Sequence, residues 1–142
     1  MKRVITYGTF DLFHYGHFLL LKRAKALGDY LIVGISSDQF CTKKGKQTIL
    51  PEELRVEMVK SLKFVDEVIL EESMEQKVDD VLKYDVDIFV LGDDYKDVFP
   101  RMDEYSKVAQ KTEVVFLART PDISSSDLKA KLLKQMGMEK KY

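Results

Sequence analysis

The strongest constraint on this chain is an alternation: short β-branched or aromatic runs are followed, five times over, by segments of helical period. Val4, Ile5, Thr6 and Tyr7 predict a strand ending at Gly8. A helix over 18–27 follows, with Leu20, Ala24 and Leu27 on one face and Gly28 just past its end. A second strand is predicted over 30–35. Leu54, Met58 and Leu62 then mark the inner stripe of a helix whose first turn holds Pro51, Glu52 and Glu53. A third strand is predicted over 65–70, a helix through Met74, Val78, Val81 and Leu82, and a fourth strand over 88–91. A weaker polar helix over 101–110, a strand over 114–117 and a last helix beginning among Ser124, Ser125 and Ser126 complete the series.

Alternating units with nearly continuous apolar strands imply an α/β, doubly wound, Rossmann-like fold: a five-stranded parallel sheet covered by helices on both faces. At 142 residues the chain is read as one domain, 1–142. In such folds ligands bind beyond the carboxyl ends of the strands, at the point where strand order reverses. Function is therefore expected in the segments 8–17, 36–46, 71–77, 92–94 and 118–126.

Charge narrows the class of partner. Twenty-three Lys and Arg against 24 Asp and Glu leave a net charge of -1, which offers no global attraction for nucleic acid or anionic lipid. An anion site has to be assembled locally. No run approaches the roughly 20 apolar residues needed to span a bilayer, and the short apolar stretch before Gly8 lacks the core of a signal peptide. One cysteine, Cys41, cannot form an internal disulfide, so a cytoplasmic location is expected.

Both histidines of the chain fall in one turn, Gly8-Thr9-Phe10-Asp11-Leu12-Phe13-His14-Tyr15-Gly16-His17. A glycine-bearing turn that feeds a helix offers free N–H groups and the positive end of the helix dipole, a natural phosphate site. The three-residue offset lets His14 and His17 converge on one group, and Gly16 admits a ligand close to the backbone. Neither a dinucleotide G-x-G-x-x-G nor a Walker G-K-[ST] is present. Metal ligation by the histidine pair is the other option, although the only cysteine follows a different strand.

The stretch from Gly8 to His17 resembles the signature of the small nucleotidyltransferases, and more narrowly that of the cytidylyltransferase family. Lys63-Phe64-Val65-Asp66-Glu67-Val68 is similar to that family's R-Y-V-D-E-V, and Arg119-Thr120-Pro121-Asp122-Ile123-Ser124-Ser125-Ser126 to its R-T-x-G-I-S-T-T. By length and layout the chain is nearest to members that act on glycerol 3-phosphate.

The resemblance implies transfer of CMP from CTP to a small phosphorylated acceptor, with release of pyrophosphate. Glycerol 3-phosphate is the leading acceptor. Phosphoethanolamine, an alditol phosphate, a phosphorylated amide or an adenylyl transfer are the alternatives, and a nucleotide-binding module without catalysis is the rival from another class. The resemblance also implies magnesium carried on the nucleotide phosphates, no protein-bound metal, and a homodimer supplying precursors for cell-surface polymers.

By the same resemblance His14, His17, Lys44 and Arg119 are catalytic. Thr9, Phe10, Asp11, Gly16, Asp94, Arg119, Thr120, Ile123, Ser124, Ser125 and Ser126 bind nucleotide, with Asp11 orienting the loop or the phosphate-bound magnesium. Lys44, Lys46, Lys63 and Lys77 hold the acceptor.

The sequence departs from the family pattern in four places. Lys63 replaces an arginine, Asp122 a glycine, and Met74 a tryptophan common in the glycerol 3-phosphate enzymes. The segment 95–111 is longer than theirs. Three of these departures lie near the acceptor or nucleotide motifs.

Overall fold

Each apolar run becomes a strand because its alternate side chains have somewhere dry to go on both faces. In a computed structural model, described for residues 1–118 and 124–137, five strands form one all-parallel sheet in the order β3-β2-β1-β4-β5. The chain runs β1 (Arg3–Gly8), α1 (Tyr15–Ala26), β2 (Tyr30–Ser36), α2 (Asp38–Lys43), α3 (Glu52–Lys60), β3 (Glu67–Glu71) and α4 (Gln76–Lys83). It continues through β4 (Ile88–Gly92), α5 (Asp103–Ala109), β5 (Glu113–Leu117) and α6 (Ser125–Gln135), with 3₁₀ turns at Asp93–Tyr95 and Phe99–Arg101.

Successive strand residues divide between two cores. Val4, Leu31, Val33, Ile88 and Val90 pack with Leu21 and Ala24 of α1 and Val59 of α3. Ile5, Ile32, Phe89 and Leu91 pack on the opposite face with Val81 of α4, Phe99 and Val108 of α5. Burial on both faces is the physical reason these strands read as continuous apolar runs rather than as alternating ones. No helix among the described residues is long and apolar enough to cross a membrane.

The first half of the chain builds outward from β1 to β3; the second returns across the sheet and builds outward through β4 and β5. Strand order therefore reverses between β1 and β4, the place where such sheets bind ligands. Thr6 lies opposite Val90, two residues before the terminal glycine of each strand, and its hydroxyl donates to the Val90 carbonyl at 2.9 Å. The crevice thus opens above Gly8 and Gly92. At Gly8 a Cβ would sit 2.8 Å from the Phe10 ring, so the turn closes over this position only because no side chain is there.

Segment 36–46, where no helix was expected, contains α2: Ser37 caps it, its side chain accepting from Phe40 N at 3.0 Å, and the basic run Lys43-Lys44-Gly45-Lys46 begins at the end of this helix. One expectation is corrected. On α3 the inner stripe is not Leu54, Met58 and Leu62. Leu54 and Met58 are exposed, Leu62 is partly buried, and Arg55 and Val59 face the core.

The rotation of α3 follows from hydrogen bonding. The fully buried Arg55 guanidinium donates to the carbonyls of Leu50 at 3.0 Å and of Thr9 and Ser36 at 2.8 Å each, and to Asp38 Oδ1 at 2.6 Å. Turning Leu54 inward would break this set and leave carbonyls unpaired, which costs more than one leucine gains.

Replacing Arg55 by Met removes the shared donor of three carbonyls. The expected loss is about 3 kcal/mol or more of unfolding free energy, at about 1–3 kcal/mol for each orphaned buried acceptor. Urea titration of the Arg55→Met protein against the parent measures it.

Candidate active site

The chain leaves β1 through a turn that side chains hold in place. Phe10 and Leu12 both take left-handed backbone conformations, with φ of 55° and 47°, which L-residues adopt only when the surroundings compel it. Here Phe10 is buried, its ring edge-on to His17 with centroids 5.2 Å apart. The Asp11 carboxylate accepts from Ile49 N at 2.8 Å and Leu50 N at 3.0 Å, and pairs with Lys129 of α6 at 3.0 Å. Burial alone would raise the Asp11 carboxyl, but these donors outweigh it and hold it below the usual carboxylate value. The Ser125 hydroxyl donates to the Asp11 carbonyl. Of the two roles expected for Asp11, orienting the loop is the one these bonds perform.

The two histidines form a reciprocal cap at the start of α1. His17 N donates to His14 Nδ1 and His14 N to His17 Nδ1, each at 3.3 Å. The rings stack with centroids 3.8 Å apart. A neutral imidazole whose Nδ1 accepts carries its proton on Nε2, so each neutral ring is fixed as an Nε2–H donor. Burial, reinforced by the adjacent His14, pushes the His17 imidazole down to about 3. At physiological pH a neutral His17, its Nδ1 accepting from His14 N, presents Nε2–H as a hydrogen-bond donor. The helix begins at Tyr15, earlier than the periodicity predicts, because this cap uses polar side chains that apolar spacing does not register.

Two adjoining cavities occupy the crevice. The smaller, about 220 Å³, is lined by His14, Gly16, His17, Asp94, Ser124 and Ser125 among others. The larger, about 790 Å³, is lined by Lys44, Lys46, Lys77, Glu71, Ser126 and Lys129 among others. Thr9, Phe10, His17, Asp94, Ser124 and Ser125 line both. Ser124 caps α6, accepting from Asp127 N at 3.0 Å, so the α6 N-terminus points its free N–H groups into the same crevice.

The lysines differ in setting. Lys44 donates to Ser36 Oγ at 3.2 Å and lies 4.3 Å from the Phe40 ring centroid. Partial desolvation, together with Lys46, holds its ammonium below the usual lysine value. Lys77 is almost wholly buried, paired with Glu71 and 3.7 Å from Met74 Sδ.

Most of the expected site residues are brought together. Lys63 is not. It sits exposed before β3, near the amino edge of the sheet, and lines neither cavity; within this chain it is away from the acceptor lysines because the motif precedes its strand instead of following it. Arg119, Thr120 and Ile123, like Asp122, lie outside the described residues. Sequence reasoning missed Arg55, Ser36 and Glu71. The signal for Arg55 was a cation at helical spacing from Val59 and Leu62; Ser36 and Glu71 open the expected functional segments 36–46 and 71–77, but their residue type did not single them out.

The described residues contain no cluster of three or more His, Cys, Asp or Glu side chains suited to holding a metal. Asp94 is the carboxylate lining both the smaller cavity and the larger one. Such a donor set suits a metal carried by ligand phosphates better than a resident ion.

Residues 5–131 match the family model described as cytidylyltransferase-like. A glycerol-3-phosphate cytidylyltransferase of Bacillus spizizenii is 50% identical over 129 residues, covering 91% of this chain and 95% of that protein. One of Staphylococcus aureus is 48% identical, covering 93% and 96%. Among solved structures, a lipopolysaccharide core biosynthesis protein from Thermoplasma volcanium superposes with a TM-score of 0.73 at 32% identity, covering 84% of this chain and 98% of that one.

The depressed His17 value has a stability consequence. Below about pH 6.5 the unfolded chain takes up a proton that folded His17 refuses, so stability is complete above that pH and falls as pH drops towards 3. At about 1.4 kcal/mol per pH unit, the loss between pH 7 and pH 5 is about 2 kcal/mol. Urea melts at both pH values should show this loss in the parent protein and its disappearance in His17→Gln.

Proposed function

The chain belongs to the cytidylyltransferase-like family, and from that premise we propose that it transfers CMP from CTP to glycerol 3-phosphate, releasing pyrophosphate. The observation that carries the reading is the wall shared by the two cavities. His17, Thr9 and Ser125 line both, while His14 lines only the smaller cavity and Lys44, Lys46 and Lys77 only the larger. One cavity thus offers imidazole N–H donors and a helix N-terminus to a triphosphate, the other offers ammonium groups to a phosphorylated acceptor, and His17 stands between them.

In the reaction an acceptor phosphate oxygen attacks the α-phosphorus of CTP. A new P–O bond forms, the bond from that phosphorus to the bridging oxygen breaks, and pyrophosphate leaves with the electron pair. No general base is required, because the acceptor phosphate is already an anion at neutral pH. Catalysis is positioning and charge stabilisation. His14 and His17 donate Nε2–H to oxygens that gain negative charge as the α-phosphorus becomes five-coordinate, and their mutual cap keeps both rings in the donor tautomer.

Magnesium would enter this reading on the nucleotide phosphates, where it would neutralise charge on the departing pyrophosphate, and Asp94 is the carboxylate that would hold it. The lengths covered and the identities of the glycerol 3-phosphate enzymes support that acceptor over the alternatives. Homodimerisation and a cytoplasmic setting remain part of the proposal.

The test is a matrix of the four nucleoside triphosphates against phosphorylated acceptors, scored by pyrophosphate release and product mass. CTP with glycerol 3-phosphate should give CDP-glycerol. Turnover with ATP and silence with CTP would overturn the assignment. His17→Ala should lower kcat by about 10²–10³, the loss expected for removing one donor to a developing anion.

A further inference from the structure

Glu71 ends β3 at the floor of the larger cavity and is 2% exposed. Its Oε2 pairs with the buried Lys77 ammonium, and its Oε1 accepts from the Ser36 hydroxyl at 3.2 Å. Ser36 Oγ in turn accepts from Lys44 at 3.2 Å. One carboxylate therefore stands between two ammonium groups of the acceptor cavity, touching the first directly and the second through a hydroxyl. Its backbone carbonyl, accepting from Ser37 N at 2.9 Å, fixes the strand end that presents it.

We propose that Glu71 is the internal counter-ion of the acceptor site, a positioning residue that keeps Lys77 and Lys44 charged and aimed at the acceptor phosphate. This role rests on the cytidylyl-transfer reading above.

A buried lysine without a counter-charge sheds its proton, by as much as 3–5 pH units in fully buried sites. Lys77 is only 5% exposed, and Lys44 already carries the burden of partial burial and of the cations Lys46 and Lys77 beside it, with Glu71 acting in the opposite sense. The other titratable groups facing this cluster are Tyr7 from β1, Asp11 from the turn after β1 with its partner Lys129 from α6, Cys41 from α2, Asp80 from α4, and Asp94 and Tyr95 from the turn after β4. Asp80 cannot replace Glu71 directly, because its Oδ2 accepts from the Tyr7 hydroxyl at 2.7 Å and from Gln76 Nε2 at 3.1 Å. Four lysines, Lys44, Lys46, Lys77 and Lys129, against Asp11, Glu71 and Asp94 leave the cavity lining one net positive charge, the sign a phosphorylated acceptor requires.

Removing the carboxylate has two opposed effects. The loss of one negative charge strengthens anion binding while the lysines stay protonated; the loss of the counter-ion makes them deprotonate at a lower pH. The sign of the effect therefore depends on pH, which distinguishes this role from a structural one.

The experiment compares the parent, Glu71→Gln and the double variant Glu71→Gln/Lys77→Met from pH 7.5 to 9.5, a range in which the acceptor phosphate stays dianionic. It measures kcat/KM for glycerol 3-phosphate, KM for CTP, and binding of inorganic phosphate by calorimetry. In Glu71→Gln the alkaline limb of the acceptor profile should move down by about one pH unit or more. Acceptor kcat/KM should stay within about threefold of the parent at pH 7.5 and fall about tenfold or more below it at pH 9.5, with KM for CTP unchanged. The double variant, lacking the buried amine, should lose the additional limb. Profiles that superimpose on the parent, or a loss equal at every pH with both KM values moved, would overturn the proposal. If the parent does not turn over, the cytidylyl reading fails by itself; the pH dependence of inorganic phosphate binding then decides the role of Glu71 by the same criterion.

Discussion

Arg55 is the constraint on which the geometry of the site depends. Its guanidinium joins the end of β1 through Thr9, the end of β2 through Ser36, α2 through Asp38 and the approach to α3 through Leu50. Arginine alone among side chains presents enough rigid donors to bind four such partners at once. Asp38 and Glu52 add a reciprocal bond, each accepting from the other's backbone N–H, at 2.9 and 3.1 Å. His17 and Lys44 share one crevice while the segments leaving β1 and β2 are fastened to one planar group.

From that fastening the site acquires two contrasting halves. In the smaller cavity the donors are imidazole N–H groups fixed by their own backbone bonds, a helix N-terminus and serine hydroxyls. In the larger cavity they are ammonium groups, with the Glu71 carboxylate paired to Lys77 and linked to Lys44 through Ser36. In the proposed reaction, a triphosphate carrying magnesium would need directional donors more than further charge, whereas a small phosphorylated acceptor would need cations. The net charge of -1 for the whole chain conceals this division, since the cations that matter are gathered at the ends of two strands.

The strands and most helices were legible because burial imposes a period on the sequence: β2, buried from Leu31 to Ser36, reads as a nearly continuous apolar run. The histidine turn was legible because both histidines stand in it between a strand and a helix. The face of α3 was misread for a definable reason. Leu54 and Met58 have the right spacing for a core stripe, but hydropathy gives no credit to a guanidinium that can be fully paired, and Arg55 took the inward position. Helix α2 was missed because six residues are too few for a period to show, and what fixes it is the Ser37 cap.

The sequence by itself determined the layered α/β architecture, the edge of the sheet that carries chemistry and the residue types that chemistry uses, since all three follow from local pattern and strand order. Only the tertiary structure decided which lysines share a cavity, that Lys63 is not among them, that His17 stays neutral, and that Glu71 and Arg55 hold the site together. Those outcomes depend on which carbonyl, ring or carboxylate lies within about 3 Å across tens of residues of sequence, and no local pattern encodes that distance.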